Sequence, residues 1–170
     1  CFCLLTANSK AETAICIQNE LGYHGFCNCS QKKISTTIKN NKHRFHNNKA
    51  RYIIQARCHL DIKKKIQQIS KKSGSKAARK WLVKHIKGLG FKEASHFLRN
   101  VGYTDLAILD RHVINHMIEN KIIKARPNYL TEKIYYELEN KLEILSNKIG
   151  ISQAELDLYL WFMKTDKVLK

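Results

Sequence analysis

A chain of 170 residues with 31 Lys and Arg against 14 Asp and Glu carries a formal charge of +17, and its 44% hydrophobic content is enough for one or two small cores. That balance excludes a wholly disordered tail, and with no run of 18 apolar residues and no basic segment ahead of the apolar start we expect neither a transmembrane helix nor a signal peptide. One Pro and seven Gly are too few turn residues for a sandwich or barrel of many short strands, so the expected class is all-α.

In chain order, residues 2–21 place Phe2, Leu5, Ala14, Ile15, Ile17 and Leu21 at roughly helical spacing. Two short helices are expected there, with a break at 6–9 and a stop at Gly22. The first residue is Cys1 rather than Met, and no capping residue precedes the first helix, as in a fragment or processed product. Residues 30–49 are polar, with Ile34 and Ile38 as a weak apolar stripe, and read as one poor helix followed by a loop. Residues 49–60, with Ala50, Ile53, Ile54 and Ala56, and the stretch from Asp61, with Ile62, Ile66 and Ile69, read as amphipathic helices. Lys71, Lys72, Ser73, Gly74 and Ser75 form the clearest linker signal.

A helix is then expected over 77–86, a tight turn at Lys87-Gly88-Leu89-Gly90, and a second helix over 91–100. Two glycines one residue apart let a backbone approach a phosphate, and the N–H groups opening the second helix supply donors and a positive dipole end. Gly88, Leu89 and Gly90, with Lys84 and Lys87 nearby, are therefore candidates for sequence-independent contact with a DNA backbone. A plain αα-hairpin with a glycine turn fits the same residues. The charge of +17 also favours a polyanionic partner, nucleic acid before an anionic membrane, although a Lys-rich solubilising surface would produce it too.

Lys92 falls on the first turn of the second helix, and Asp110 follows 18 positions later in Leu109-Asp110-Arg111-His112. A helix N-terminus and partial burial both favour the neutral amine, which makes Lys92 a candidate nucleophile near neutral pH. Asp110 precedes the periodic run Val113, Ile114, Met117 and Ile118. It can cap that helix while aiming a carboxylate at a developing positive charge. A solvated Lys and an ordinary N-cap Asp are the bland alternatives.

Farther on, Thr131 opens a long amphipathic helix marked by Ile134, Leu138, Leu142 and Leu145, with Gly150 as its stop. Ser152 and Glu155 have capping-box spacing ahead of a last helix containing Leu156, Leu160, Trp161 and Met163. The cysteines at 1, 3, 16, 27, 29 and 58 include two C-x-C pairs and no C-x-x-C. Buried, reduced thiols in an intracellular protein are expected, rather than a metal site or disulfides.

Together, Gly88-Leu89-Gly90-Phe91-Lys92-Glu93-Ala94 and Leu109-Asp110-Arg111-His112 resemble the signature of the helix-hairpin-helix (HhH-GPD) DNA glycosylases with Lys at the nucleophile position. Within that superfamily, residues 92–103 and the carboxyl end from Leu156-Asp157-Leu158-Tyr159-Leu160-Trp161 to Lys167-Val168-Leu169-Lys170 resemble the archaeal-type 8-oxoguanine DNA glycosylase/AP lyases. The resemblance runs along the whole chain but starts inside the family pattern, about two helices late. It implies an all-α fold of two helical subdomains with the active site in the cleft between them. Residues 1–125 would carry the hairpin and the Lys/Asp pair, and residues 126–170 would complete the second subdomain.

The same resemblance implies a base-excision-repair enzyme that removes 8-oxoguanine from duplex DNA and then acts as a lyase. Lys92 would be the Schiff-base nucleophile, with Asp110 assisting its deprotonation and stabilising the sugar cation. Phe45 and Trp161 would stack on the flipped base, although Phe45 also reads as a loop anchor and Trp161 as core. The carboxylate of Lys170 would accept from the purine edge, where a frayed tail is the alternative, and Asn8 would lie near the minor groove. No cofactor is required, no iron–sulfur cluster is expected because no Cys follows Cys58, and a monovalent cation at the hairpin is compatible with the family. A monomer in the cytoplasm or nucleoid of a prokaryote, archaeal by resemblance and without a membrane partner, is expected. Two other readings stay open at this point: a non-catalytic helix-hairpin-helix DNA-binding module or inactive truncated glycosylase, and an enzyme for oxidised pyrimidines, against which the carboxyl end argues.

Overall fold

The computed structural model describes residues 1–165. Among these, the regular elements are all helical: α1 (Phe2–Thr6), α2 (Ala11–Asn28), α3 (Gln31–Asn40), α4 (His46–Ala56), α5 (Ile62–His85), α6 (Phe91–Asn100), α7 (Arg111–Glu119), α8 (Glu132–Ile149) and α9 (Gln153–Thr165), with a single 3-10 turn at Arg57–His59 after α4. Contacts divide the chain into two units, one spanning Cys1–Glu93 and one beginning at Ala94. The boundary suggested by the sequence, 125/126, lies within the second unit, between α7 and α8.

In the first unit α1, α2, α3 and α4 pack on one another around Leu5, Ile17, Ile34, Ile38, Ala50 and Ile53, all fully buried. Ile34 and Ile38 stand one turn apart, so the weak stripe of α3 is enough to face it inward. Ser30 caps that helix by accepting from the Lys33 N–H. Arg57 closes the far end of α2, donating to the carbonyls of Phe26 and Cys29 at 2.8 and 2.7 Å. Those are carbonyls that a helix end leaves without an intrahelical partner.

Two sequence expectations are corrected here. Gly22 does not stop α2: it sits at φ 57°, ψ −172° as a kink, and helix continues to Asn28 because Gly25 and Phe26 are buried beyond it. Likewise the segment 71–75 is not a linker. Gly74, at φ 82° and ψ 170°, kinks α5 between two helical stretches, and Ile66 before it and Ser75 and Ala78 after it are all buried. Packing on both sides of a glycine outweighs the local preference of Lys, Ser and Gly for a loop. The thiols also differ from expectation: all six cysteines are free, but only Cys3 is buried, and Cys1, Cys16 and Cys58 are exposed. Small apolar character does not fix which side of a helix a cysteine occupies.

The turn between α5 and α6 is tight as expected, and its tightness has a specific cause. Leu89 is buried, and its N–H donates to the Ile86 carbonyl at 3.1 Å. Gly88, at φ 92°, lies against the ring of Tyr52 on α4, so close that a Cβ there would stand 2.4 Å from Tyr52 Cδ2. Arg79 of α5, fully buried, places its guanidinium 5.4 Å from the centre of the Phe91 ring.

In the second unit the extended segment 104–110 is held from one side by α8. Tyr135 donates its hydroxyl to the Ala107 carbonyl at 2.8 Å, and the same oxygen accepts from the Leu109 N–H at 3.3 Å. Fully buried Glu139, one turn on, accepts from the Ala107 N–H at 3.0 Å. A segment without regular structure must send its buried backbone groups somewhere, and here they go to two side chains of α8. From the other direction α9 docks through Gln153, whose amide donates to the Asp105 carbonyl, and through an ion pair between Asp157 and Arg99 of α6. Thr131 caps α8, Gly150 ends it in the left-handed region, and Ser152 with Glu155 forms the expected reciprocal cap of α9.

Tyr135→Phe leaves the Ala107 carbonyl and the Leu109 N–H without that partner in a buried site, and should cost about 1–3 kcal/mol, read as a lower urea midpoint. Gly88→Ala combines left-handed strain with a clash on an aromatic ring and should cost about 2–4 kcal/mol. Gly22→Ala, at φ 57° with nothing near its Cβ, should cost about 1–2 kcal/mol. Equal losses at the two glycines would remove the Tyr52 contact as the cause.

Candidate active site

In the first unit, one face of α4 and the hairpin bring five notable side chains together. Phe45 is the N-cap residue of α4, 42% exposed, with the Arg44 guanidinium 5.5 Å from its ring centre. Its N–H donates to His43 Nδ1, and His43 Nε2 lies 3.0 Å from the Leu5 carbonyl, which fixes the loop that presents the ring. Four residues after Phe45 comes Lys49, and three after that Tyr52, a spacing that puts all three on one helical stripe. Tyr52 packs on Gly88, and Lys49, only 5% exposed, is coupled electrostatically to Glu93 and Lys92.

Lys92 lies in the first turn of α6 with its side chain 30% exposed, and its Nζ is 3.4 Å from Glu93 Oε1. The other carboxylate oxygen of Glu93 accepts from the Gly90 N–H at 3.2 Å. That is the backward half of a capping box, from the third helical position to the residue before the helix. Burial pushes the Lys49 ammonium below the usual lysine range; Glu93 opposes that shift and Lys92 adds to it. Lys84 and Lys87 are exposed, as backbone-binding cations must be. Of the hairpin residues, Leu89 spends its side chain on the core and its N–H on Ile86, and Gly90 gives its N–H to Glu93.

In the second unit Asp110 caps α7, its Oδ1 accepting from the His112 N–H at 2.8 Å and the Val113 N–H at 2.9 Å. The capping expectation is met, and the second oxygen of the carboxylate takes part in neither bond. Trp161 lies edge-on to the His112 ring at 5.2 Å between centroids, so the last helix places this indole beside the residue that anchors Asp110. Its half-buried position fits neither an exposed platform nor a sealed core residue. Asn8, exposed and at φ 60°, ends the turn after α1. Lys170 lies outside the described residues.

Sequence reasoning missed Lys49, Tyr52 and Glu93. Signals existed: Glu93 stands three residues after Gly90, the cap spacing, and Lys49 and Tyr52 follow Phe45 at helical intervals. Nothing local, however, distinguishes a buried Lys from the many exposed ones. Among the described residues no group of three or more His, Cys, Asp or Glu is placed to hold a metal, and no helix is long and apolar enough to cross a membrane.

The 8-oxoguanine DNA glycosylase family pattern matches residues 1–151. An 8-oxoguanine DNA glycosylase/AP lyase of Methanocaldococcus jannaschii is 45% identical over the whole of this chain, which covers 80% of that protein, and one from Aquifex aeolicus is 41% identical over 99% of the chain and 76% of the relative. Among solved structures, the M. jannaschii 8-oxoguanine glycosylase/lyase in complex with DNA containing 8-oxoguanine superposes with a TM-score of 0.94 at 44% identity, over all of this chain and 80% of that one. The 8-oxoguanine DNA glycosylase of Thermotoga maritima gives 0.91 at 37%, over 99% of this chain and 79% of that one. The fold is thus shared with solved members of the family, and the chain belongs to the 8-oxoguanine DNA glycosylase/AP lyases.

Proposed function

We propose that this base-excision-repair enzyme removes 8-oxoguanine from duplex DNA with Lys92 as its nucleophile and Asp110 as the carboxylate that serves it. The observation that carries the reading is the placement of Lys92: a part-exposed amine in the first turn of a helix, directly after a glycine hairpin suited to phosphate. The lesion nucleotide leaves the stack, since neither C1′ nor the base edge is reachable inside the duplex. The neutral Lys92 amine attacks C1′ as the N-glycosidic bond breaks, and the bonding pair departs with the base, which takes up a proton. Asp110, held by two amide N–H groups at the start of α7, is rigid enough to stabilise positive charge on the sugar without closing a covalent bond itself.

The amine bound at C1′ then passes one proton to O4′ as the C1′–O4′ bond breaks and the sugar ring opens, which gives the protonated imine. Loss of a C2′ proton pushes the electron pair toward C3′ and expels the 3′ phosphate, the lyase step. A water-activating enzyme would need no amine at position 92. Displacement by an amine, ring opening and elimination change no overall oxidation state, so these steps call for no redox cofactor. Phe45 supplies an exposed ring for stacking, Trp161 an indole next to the Asp110 cap, and the Lys170 carboxylate an acceptor for the purine edge. The Lys84 and Lys87 ammonium groups and the Gly88 and Gly90 backbone hold phosphates on either side of the lesion.

Incubation with a duplex bearing one 8-oxoguanine, followed by borohydride, should yield a covalent complex that Lys92→Gln abolishes. Asp110→Asn should slow base release by about a hundredfold or more while leaving DNA binding intact. Trapping that survives Lys92→Gln would move the nucleophile elsewhere, and binding without any trapping or base release would favour a non-catalytic module. If about five phosphates are neutralised, log affinity should fall against log salt with a slope of about −4 to −5. A flat response would sink that electrostatic account.

A further inference from the structure

Gln153, Asp157 and Trp161 stand at successive turns of α9, and each meets a different part of the second unit. The Gln153 amide donates to the Asp105 carbonyl at 3.0 Å, Asp157 pairs with Arg99 of α6, and Trp161 lies edge-on to His112 of α7 at 5.2 Å between ring centres. The side chains of Arg99 and Asp157 are 12% and 11% exposed, so little water screens the pair. Beside these three residues, buried Ala154 and Leu156 give α9 apolar contact. Apolar contact has no direction. A guanidinium on a carboxylate does, because its donors lie in a fixed planar fork. A slip of one residue would turn the helix by about 100°, and would carry Asp157 off Arg99 and Trp161 off His112 together.

We propose that the Arg99–Asp157 ion pair positions Trp161 for base recognition: it fixes the turn of α9 that places the indole on His112, and so governs release of the damaged base but not the lyase step. The inference rests on Trp161 meeting the base, as read above. The lyase step is spared because the Asp110 carboxylate is held without α9. Its bonds come from the His112 and Val113 backbone N–H groups, and the segment leading to it is held at Ala107 and Leu109 by Tyr135 and Glu139 of α8.

The pair also has a plain structural reading, since breaking it leaves a charge unpaired with little water around it and destabilises the fold. The two accounts separate on two duplexes, one bearing 8-oxoguanine and one bearing a preformed abasic site, which has no base for an indole to meet. In single-turnover reactions at saturating enzyme, Asp157→Asn should slow base release about tenfold while strand scission at the abasic site stays within about twofold of the unsubstituted protein. Arg99→Lys keeps the charge but not the fork, and should show the same selective loss to a smaller extent. Trp161→Ala removes the indole itself and should reproduce the loss, to which Asp157→Asn should add little. With Trp81→Phe in place, Trp161 is the remaining tryptophan. Asp157→Asn should then move its emission to the red and open it to acrylamide.

A pair that only ties α9 down predicts that both reactions fall alike, as the folded fraction falls. That result, or rates and emission that stay unchanged, overturns the proposal. Should circular dichroism show Asp157→Asn to be unfolded, Arg99→Lys carries the test on the same readouts, and loss on both duplexes or on neither is equally decisive. If Trp161→Ala leaves base release unchanged, the reading of Trp161 as a base contact fails and the proposal with it. If Trp161→Ala slows base release while Asp157→Asn does not, only the role given to the ion pair fails.

Discussion

The hairpin between α5 and α6 depends on one contact, the ring of Tyr52 lying where a side chain at position 88 would have to go. Because Gly88 carries no Cβ and accepts φ 92°, the chain can turn over the ring while Leu89 goes into the core. The consequence reaches beyond the turn. Tyr52 shares its helical stripe with Lys49 and Phe45, so packing Gly88 on Tyr52 sets where the hairpin crosses that stripe and where α6 begins, at Phe91. A single steric requirement thus ties the stripe that carries Phe45 and Lys49 to the turn that leads into Lys92.

The second unit answers a different problem. Residues 104–110 must reach α7 without a helix or strand of their own, and their buried amides and carbonyls would each cost on the order of 1–3 kcal/mol if left unpaired. Tyr135 and Glu139, one turn apart on α8, meet them instead, and Asp110 ends the segment by capping α7. The carboxylate is therefore held at both its flanks: behind it by α8, ahead of it by two amides of its own helix. A carboxylate held in this way is preorganised and need not rearrange when positive charge develops beside it.

Charge has two roles in this protein that the net value of +17 does not separate. Exposed cations such as Lys84 and Lys87 act at long range and are screened by salt. Lys49, Arg79 and their neighbours are removed from solvent, where a charge acts over a few ångströms and is costly unless matched. Identical residue types thus meet opposite solvation in the two places.

By itself the sequence determined a great deal: the all-helical class, the hairpin with helices on either side, the caps at Asp110 and Ser152, the start of α8 at Thr131, and the Lys and Asp of the family signature. These are local properties, set by periodicity, capping chemistry and the conformations glycine allows, and neighbours in sequence suffice to specify them. The tertiary structure decided what depends on residues far apart in the chain. It turned Gly22 and Gly74 from a stop and a linker into kinks, because buried residues beyond each made continuing the helix favourable. It also chose Lys49 for burial among many similar lysines and laid Tyr52 under Gly88. Those outcomes turn on burial and on contact between helices, which no single segment encodes.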